Sequence, residues 1–93
     1  MAHKKNAELA KVGLGVIIGH GFGLGINTMA EVMLAATSRA VVDGLECVGP
    51  LKTADDVVTA KLDLAAGSID LPPGPGLGVE LDASKLDRYR FDA

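Results

Sequence analysis

The sequence predicts an α/β chain with a buried parallel strand feeding a glycine loop and a helix. Three observations point there. Leu14 to Ile18 is apolar without polar alternation, the pattern of a strand covered on both faces. Glycine then falls at every second position from Gly19 to Gly25, enclosing His20 and Phe22, so the backbone can turn sharply and pack closely. Apolar residues make up 48% of the chain but aromatic ones only 3%, the Ala, Val, Leu and Ile mix of barrel and doubly wound interiors. In such folds a polar residue on a loop after a strand stands at the strand's C-terminal end, where sites are built.

Taken in order, Asn6 to Val12 reads as a short helix with Asn6 as its cap and Gly13 as its stop. Two turns are marginal alone in water. Leu14 to Ile18 is the strand. Thr28 and Glu31 fit a capping box, and Met29, Val32, Met33 and Ala36 share one face of a helix running to Arg39. The two methionines read as core. A second strand spans Gly44 to Val48, contains Glu46, and ends at Gly49-Pro50. Asp55-Asp56 reads as a solvated turn. Val57 to Leu64 alternates, Ala65 to Ser68 turns, and Ile69 to Leu71 returns, which predicts an antiparallel hairpin with one wet face. Pro72 to Gly78 excludes regular structure and reads as a rigid crossing loop. Val79 to Leu81 is a brief strand, and Asp82 caps a last turn from Ala83 to Tyr89.

With 93 residues the chain forms at most one small domain. A net charge of −3 gives no reason to expect nucleic acid as a partner. No apolar run is long enough for a membrane span, and no apolar stretch follows Lys4 and Lys5 as a signal peptide requires, so a cytoplasmic location is expected. One cysteine excludes an internal disulfide, and Cys47 has no basic or histidine neighbour to make it a nucleophile; it reads as a small buried residue. His3 lies near the terminus and reads as inert. The glycine loop lacks a Gly-Lys-Ser/Thr ending and a Gly-x-Gly-x-x-Gly spacing, so it is no phosphate loop.

Two segments carry a resemblance. Pro72-Pro-Gly-Pro-Gly-Leu-Gly-Val-Glu-Leu-Asp82 followed by Lys85-Leu-Asp-Arg-Tyr-Arg90 resembles the C-terminal end of the enolase superfamily, in its mandelate racemase and muconate-lactonizing (muconate cycloisomerase) branches. Glu46-Cys-Val-Gly-Pro-Leu51 and Asp55-Asp56-Val57-Val58 resemble the segment that ends the barrel there. The resemblance covers roughly residues 7 to 92. It implies the C-terminal portion of a (β/α)7β modified TIM barrel: strand seven over Leu14–Ile18, helix seven over Thr28–Arg39 and strand eight over Gly44–Val48. Residues 1–56 would then end the barrel domain, and 57–93 would return to the capping domain.

The resemblance also implies a chemistry. A base removes the proton α to a carboxylate, and Mg²⁺ with nearby donors stabilises the enediolate, because such a C–H is a very weak acid. The family's metal carboxylates stand on strands three to five and its lysines on strands two and six, none of which this chain matches. No metal is therefore expected on this chain alone. Two catalytic positions do match. Glu46 corresponds to the acid on the last strand, which hydrogen-bonds the substrate carboxylate or developing enolate. His20 corresponds to the strand-seven histidine that acts as a base in mandelate-racemase-like members, and Gly21, Phe22 and Gly23 form the substrate loop. Lactonizing-type members often carry glutamate or serine where this chain has Gly21 and Gly23. Without the resemblance, His20 reads as a loop histidine satisfied by solvent or backbone, and Glu46 as a partly exposed strand residue.

The implied function is that of a C-terminal fragment of an Mg²⁺-dependent enzyme acting on a small carboxylate substrate, inactive by itself. Its partners would be the missing N-terminal part of the barrel or other copies of the chain. The alternative is a stand-alone, self-associating remnant with a structural or interaction role and no catalysis.

Overall fold

The computed structural model describes residues 2–19, 21–46 and 48–92, without the side chains of residues 2, 3, 6, 42 and 43. His20 and Cys47, and the side chain of His3, lie outside the described residues. The elements are α1 (Ala2–Lys11), β1 (Val16–Ile18), α2 (Gly25–Thr37), β2 (Val41–Leu45), α3 (Gly49–Lys52) and α4 (Ala83–Arg88).

The first helix begins before Asn6, so that residue lies inside the helix rather than capping it. Gly13 ends it as expected. Its φ is +79°, a region open to glycine at little steric cost. The Gly13 amide donates to the Ala10 carbonyl at 3.1 Å and the Leu14 amide to the Leu9 carbonyl at 3.1 Å, the paired bonds of a Schellman stop.

Strands β1 and β2 are parallel neighbours, as a strand–helix–strand connection requires. The second strand starts and stops earlier than the sequence suggests, at Val41 and Leu45. Val16 faces Val41 and Ile18 faces Leu45, so β2 carries extra residues between the paired positions. Gly44, at φ +85°, sits within that irregularity. Glu46 therefore stands just beyond the strand rather than within it. The expectation that β1 is buried on both faces is not met: Ile17 is 55% exposed. Among the described residues the sheet has two strands.

Helix α2 starts at Gly25 and ends at Thr37, three residues earlier at its start than expected. The Thr28–Glu31 capping box does not form. Leu24 is the N-cap residue and has no side chain to do the work. Thr28 lies in the first turn, fully buried, with its hydroxyl donating to the Gly23 carbonyl at 3.4 Å. Glu31 instead accepts from the Asn27 side-chain amide at 3.0 Å. Of the expected apolar face, Met29 and Val32 are buried and Met33 is half-buried, while Ala36 is exposed.

The hairpin expected from Val57 to Leu71 is absent. Val58 bridges Leu81 instead, antiparallel. The Thr59 amide donates to the Glu80 carbonyl at 2.8 Å and the Asp82 amide to the Val57 carbonyl at 2.8 Å. The alternation in 57–64 does mark an extended segment, but its partner lies beyond the proline-rich loop. The turn at 65–68 is real: the Gly67 amide donates to the Leu64 carbonyl at 3.1 Å and Gly67 has φ +76°. Between Pro72 and Gly78 the chain is irregular, as expected, and folds on itself so tightly that a Cβ on Gly78 would overlap the Pro72 ring. Asp82 caps α4 as expected, accepting from the amides of Ser84 at 3.0 Å and Lys85 at 3.2 Å.

The core is small. Met29, Val32, Ala40 and Val58 are its buried apolar residues, with Thr28 and Asp56 as buried polar ones. The accessible surface is 6533 Å², against about 5,000 Å² for a self-contained monomer of this mass. The radius of gyration is 14.9 Å, against about 12 Å for a compact domain of this length.

Candidate active site

Ile18 ends β1, and the loop Gly19 to Leu24 leaves from there. The amide of Glu46 donates to the Ile18 carbonyl at 3.0 Å. Glu46 and the glycine loop thus leave the same end of the two strands, the C-terminal end, side by side. This is where α/β folds gather reactive side chains from separate strands. Glu46 is exposed, so its carboxylate is open to whatever stands above the sheet. His20 belongs to the loop in sequence but falls outside the described residues.

The glycines of the loop divide into two kinds. A Cβ on Gly23 would lie 2.7 Å from the Cβ and Cγ of Asn27, and one on Gly25 would lie 3.0 Å from Asp56 Oδ2 and 3.3 Å from Val58 Cγ2. These two are glycines because α2 and the 56–58 segment pack against them. Gly19 and Gly21 meet nothing within 4 Å and lack a positive φ. Nothing described in this chain requires them to be glycine. Phe22, between Gly21 and Gly23, adopts φ +60° and is 61% exposed. A bulky residue in that conformation costs roughly 1–2 kcal/mol, and such strain clusters at functional loops.

Helix α2 is anchored by a residue that sequence reasoning assigned to solvent. Asp56 is 1% exposed, and its Oδ2 accepts from the Gly25 amide at 2.8 Å. Its Oδ1 accepts from the Val57 amide at 2.7 Å. A buried carboxylate at a helix N-terminus meets both the unsatisfied amides and the positive end of the helix dipole. The signal that could have found it is negative: Leu24 offers no acceptor, so one had to come from elsewhere in the chain.

Asp55 faces the other way. It accepts from the Tyr89 hydroxyl at 2.6 Å, from the Asp56 amide at 2.8 Å and from Lys85 Nζ at 3.3 Å. The Tyr89 hydrogen bond, then the Asp56 amide, then Lys85, hold its carboxyl down at about 2 despite some opposing desolvation. The same bond raises the Tyr89 phenol above its ordinary value. Asp82 is lowered by the Ser84 hydroxyl first and the Lys85 amide second.

Among the described residues no group of three or more His, Cys, Asp or Glu side chains is arranged to hold a metal ion. Three carboxylates are committed elsewhere: Asp56 to the amides of Gly25 and Val57, Asp55 to Tyr89 and Lys85, and Asp82 to α4. No helix among the described residues is long and apolar enough to cross a membrane.

Two parallel strands joined by a helix, with candidate groups leaving their C-terminal ends, define an α/β barrel-type chain. The family-level comparison makes this particular. The chain belongs to the Enolase C-terminal domain-like family, whose model matches residues 2–85. It is similar to Muconate cycloisomerase 1-1 of Acinetobacter lwoffii, 36% identical over 66 residues, which are 71% of this chain and 17% of that protein. It is similar also to the chloromuconate cycloisomerase of Cupriavidus pinatubonensis, 32% identical over 84 residues, 89% of this chain and 23% of the other. Among solved structures, the muconate lactonizing enzyme from Klebsiella pneumoniae superposes with a TM-score of 0.82 at 37% identity, covering 92% of this chain and 24% of that one. The chain thus spans about a fifth of the length of the relatives it matches.

Proposed function

We propose that this chain supplies the last two barrel strands and the tail of a cycloisomerase of the muconate type. In this reading β1 is strand seven, α2 is helix seven, β2 is strand eight, and residues from about 57 onward return to a capping domain. Read in the ring-opening direction, the reaction it serves begins with loss of a proton α to a carboxylate. The C–H pair moves into the carboxylate as the enediolate forms, and the proton goes to a base. Magnesium, supplied in the family by carboxylates on strands this chain does not contain, would be held by residues outside it.

The chain's own contribution is positional. Glu46, exposed just beyond the C-terminal end of β2, would in its acid form donate a hydrogen bond to the substrate carboxylate or to the developing enolate oxygen. His20 takes the part of the strand-seven group that contacts substrate or accepts the proton. Gly21, Phe22 and Gly23 form the loop wall beside it. The observation that carries this reading is the Glu46 amide bonded to the Ile18 carbonyl, which sets the Glu46 backbone beside the root of the His20 loop. The cycloisomerases named above support this branch over the racemases, although Gly21 and Gly23 stand where lactonizing-type members often carry glutamate or serine.

A second reading rests on exposed apolar surface. Ile17 on the sheet and Leu51 on α3 are 55% and 64% exposed. A second copy of the chain could cover that surface, giving a self-associating module without catalysis.

Native mass spectrometry followed by a denaturing run decides between the two. The first reading expects a larger polypeptide to accompany the 9.5 kDa chain. Glu46→Gln in that complex then lowers kcat by about 10²-fold or more. Homo-oligomers alone favour the second reading. Exchange of a substrate α-proton by the pure chain with Mg²⁺ would overturn the assignment of the metal site to other strands.

A further inference from the structure

We infer that Asp56 is a positioning residue for the 21–25 loop, and that α4 sets its place through Asp55. This rests on the reading above only in taking that loop as functional. The coupling itself stands on a contiguous set of bonds. The loop closes on Gly25, the first residue of α2. Its amide is held by a carboxylate that is 1% exposed and 31 positions further along. No side chain nearer in sequence can take over, because the N-cap residue is Leu24.

The other oxygen of Asp56 takes the Val57 amide, so the carboxylate is fixed in both directions. Its own backbone amide donates to Asp55 Oδ1. Asp55 is in turn gripped from the tail by the Tyr89 hydroxyl at 2.6 Å and by Lys85 Nζ at 3.3 Å. Lys85 Nζ also donates to the Val58 carbonyl at 3.3 Å. The Asp82 amide closes the frame on the Val57 carbonyl. Each element between Tyr89 and Gly25 is therefore bonded to the next. Space agrees with the bonding. Gly25 has no room for a Cβ except against Asp56 and Val58, so the loop's end has one seat. The loop it terminates includes Phe22 at φ +60°, a conformation held only when the surroundings over-determine it.

The sequence around Asp55 fits two separate tasks rather than one acidic turn. Asp55 is the outward carboxylate that the tail grips, and Asp56 is the inward one that grips the helix. A turn whose only duty is solvation has no need of a buried carboxylate, since burial without partners is strongly unfavourable.

Amide hydrogen exchange by NMR on the 93-residue chain tests this without any assay of catalysis, so its outcome is separate from the fate of the proposed activity. Asp56→Asn retains one oxygen where two are used, and is expected to speed exchange at Gly25 by about tenfold relative to Val32. Tyr89→Phe and Lys85→Met touch neither the loop nor α2. Each is expected to speed Gly25 exchange by about two- to tenfold while Met29 and Val32 stay within about twofold. Asp56→Asn with Tyr89→Phe is expected to add little beyond Asp56→Asn alone, since both act through one bond. The inference is overturned if Tyr89→Phe and Lys85→Met leave Gly25 unchanged, or if they speed all amides together as a general loss of stability does. It is overturned too if Gly25 in the unaltered chain exchanges as fast as an unprotected amide. Should Asp56→Asn fail to fold, the two tail variants decide alone.

Discussion

One corner of this molecule is finished and the other is open. Around Asp56, Val58 and the start of α2, Gly25, Thr28, Met29, Asp56 and Val58 are buried and the buried polar side chains have partners: Thr28 the Gly23 carbonyl, Asp56 the amides of Gly25 and Val57. Around the two-stranded sheet, Ile17 and Leu51 face solvent and an apolar cavity of about 430 Å³ lies between α2, β2 and the 64–69 segment. The contrast separates a corner the chain closes with its own residues from one it leaves exposed. The tail-to-helix corner is built from this chain's residues. The sheet presents surface that a complete barrel would cover.

The comparison breaks first at the core. Met29 is 2% exposed, and Met29→Ala is expected to destabilise the chain by about 2–5 kcal/mol. Urea unfolding followed by circular dichroism measures it. A loss well under 1 kcal/mol would mean that the closed corner is not the source of stability.

A smaller effect sharpens the grip of α4. Asp55 is held down at about 2 against an ordinary value of 3.8, chiefly by Tyr89. A lowered carboxyl stabilises the folded form above its unfolded value. That contribution should be whole above about pH 4 and lost as pH falls towards 2. Tyr89, raised by the same bond, adds stability that is whole below its ordinary value of 10 and lost as pH rises through its higher folded value. Tyr89→Phe should flatten part of the acid dependence of the melting temperature and remove the alkaline one. Asp55 is well hydrated, so both changes are expected to be modest.

The smallest effect belongs to the open side. Ile17→Lys, at a residue 55% exposed, is expected to change the stability of the chain alone by no more than about 0.5 kcal/mol. It should nevertheless abolish association with whatever completes the sheet, read as loss of the partner in native mass spectrometry. A large fall in the stability of the isolated chain would show that the sheet face is already covered.

What was legible in the sequence follows the range of the forces involved. The strand at Val16–Ile18, the stop at Gly13, the cap at Asp82 and the irregular proline stretch are local matters, set by residues within a few positions of one another. The parallel strand followed from an apolar run joined to a helix, whereas the barrel-type fold followed from the resemblance carried by Pro72 to Asp82 and Glu46 to Leu51. The residues that misled were those whose partners lie far along the chain. Thr28 and Glu31 satisfy a local capping pattern, but Asp56 reached Gly25 first and moved the helix start. The segment from Val57 found Leu81 rather than Ile69. The second strand lies three residues earlier than expected, with Gly44 in a left-handed conformation inside it, and Glu46 falls outside it. For the site, the sequence singled out the His20 loop and Glu46 but not Asp56, because a carboxylate's burial is a property of its neighbours.

The proline-rich crossing has a consequence for the entropy of folding. Closing a long loop between Val58 and Leu81 removes freedom from the chain, and the loss grows with the logarithm of its length. Pro72, Pro73 and Pro75 have already surrendered part of that freedom in the unfolded state, by about 0.4–1 kcal/mol each. The tail's return to Val58 therefore costs less than it would on the same segment without its prolines, which eases the task of the bridge and of the Lys85 and Tyr89 contacts that keep it there.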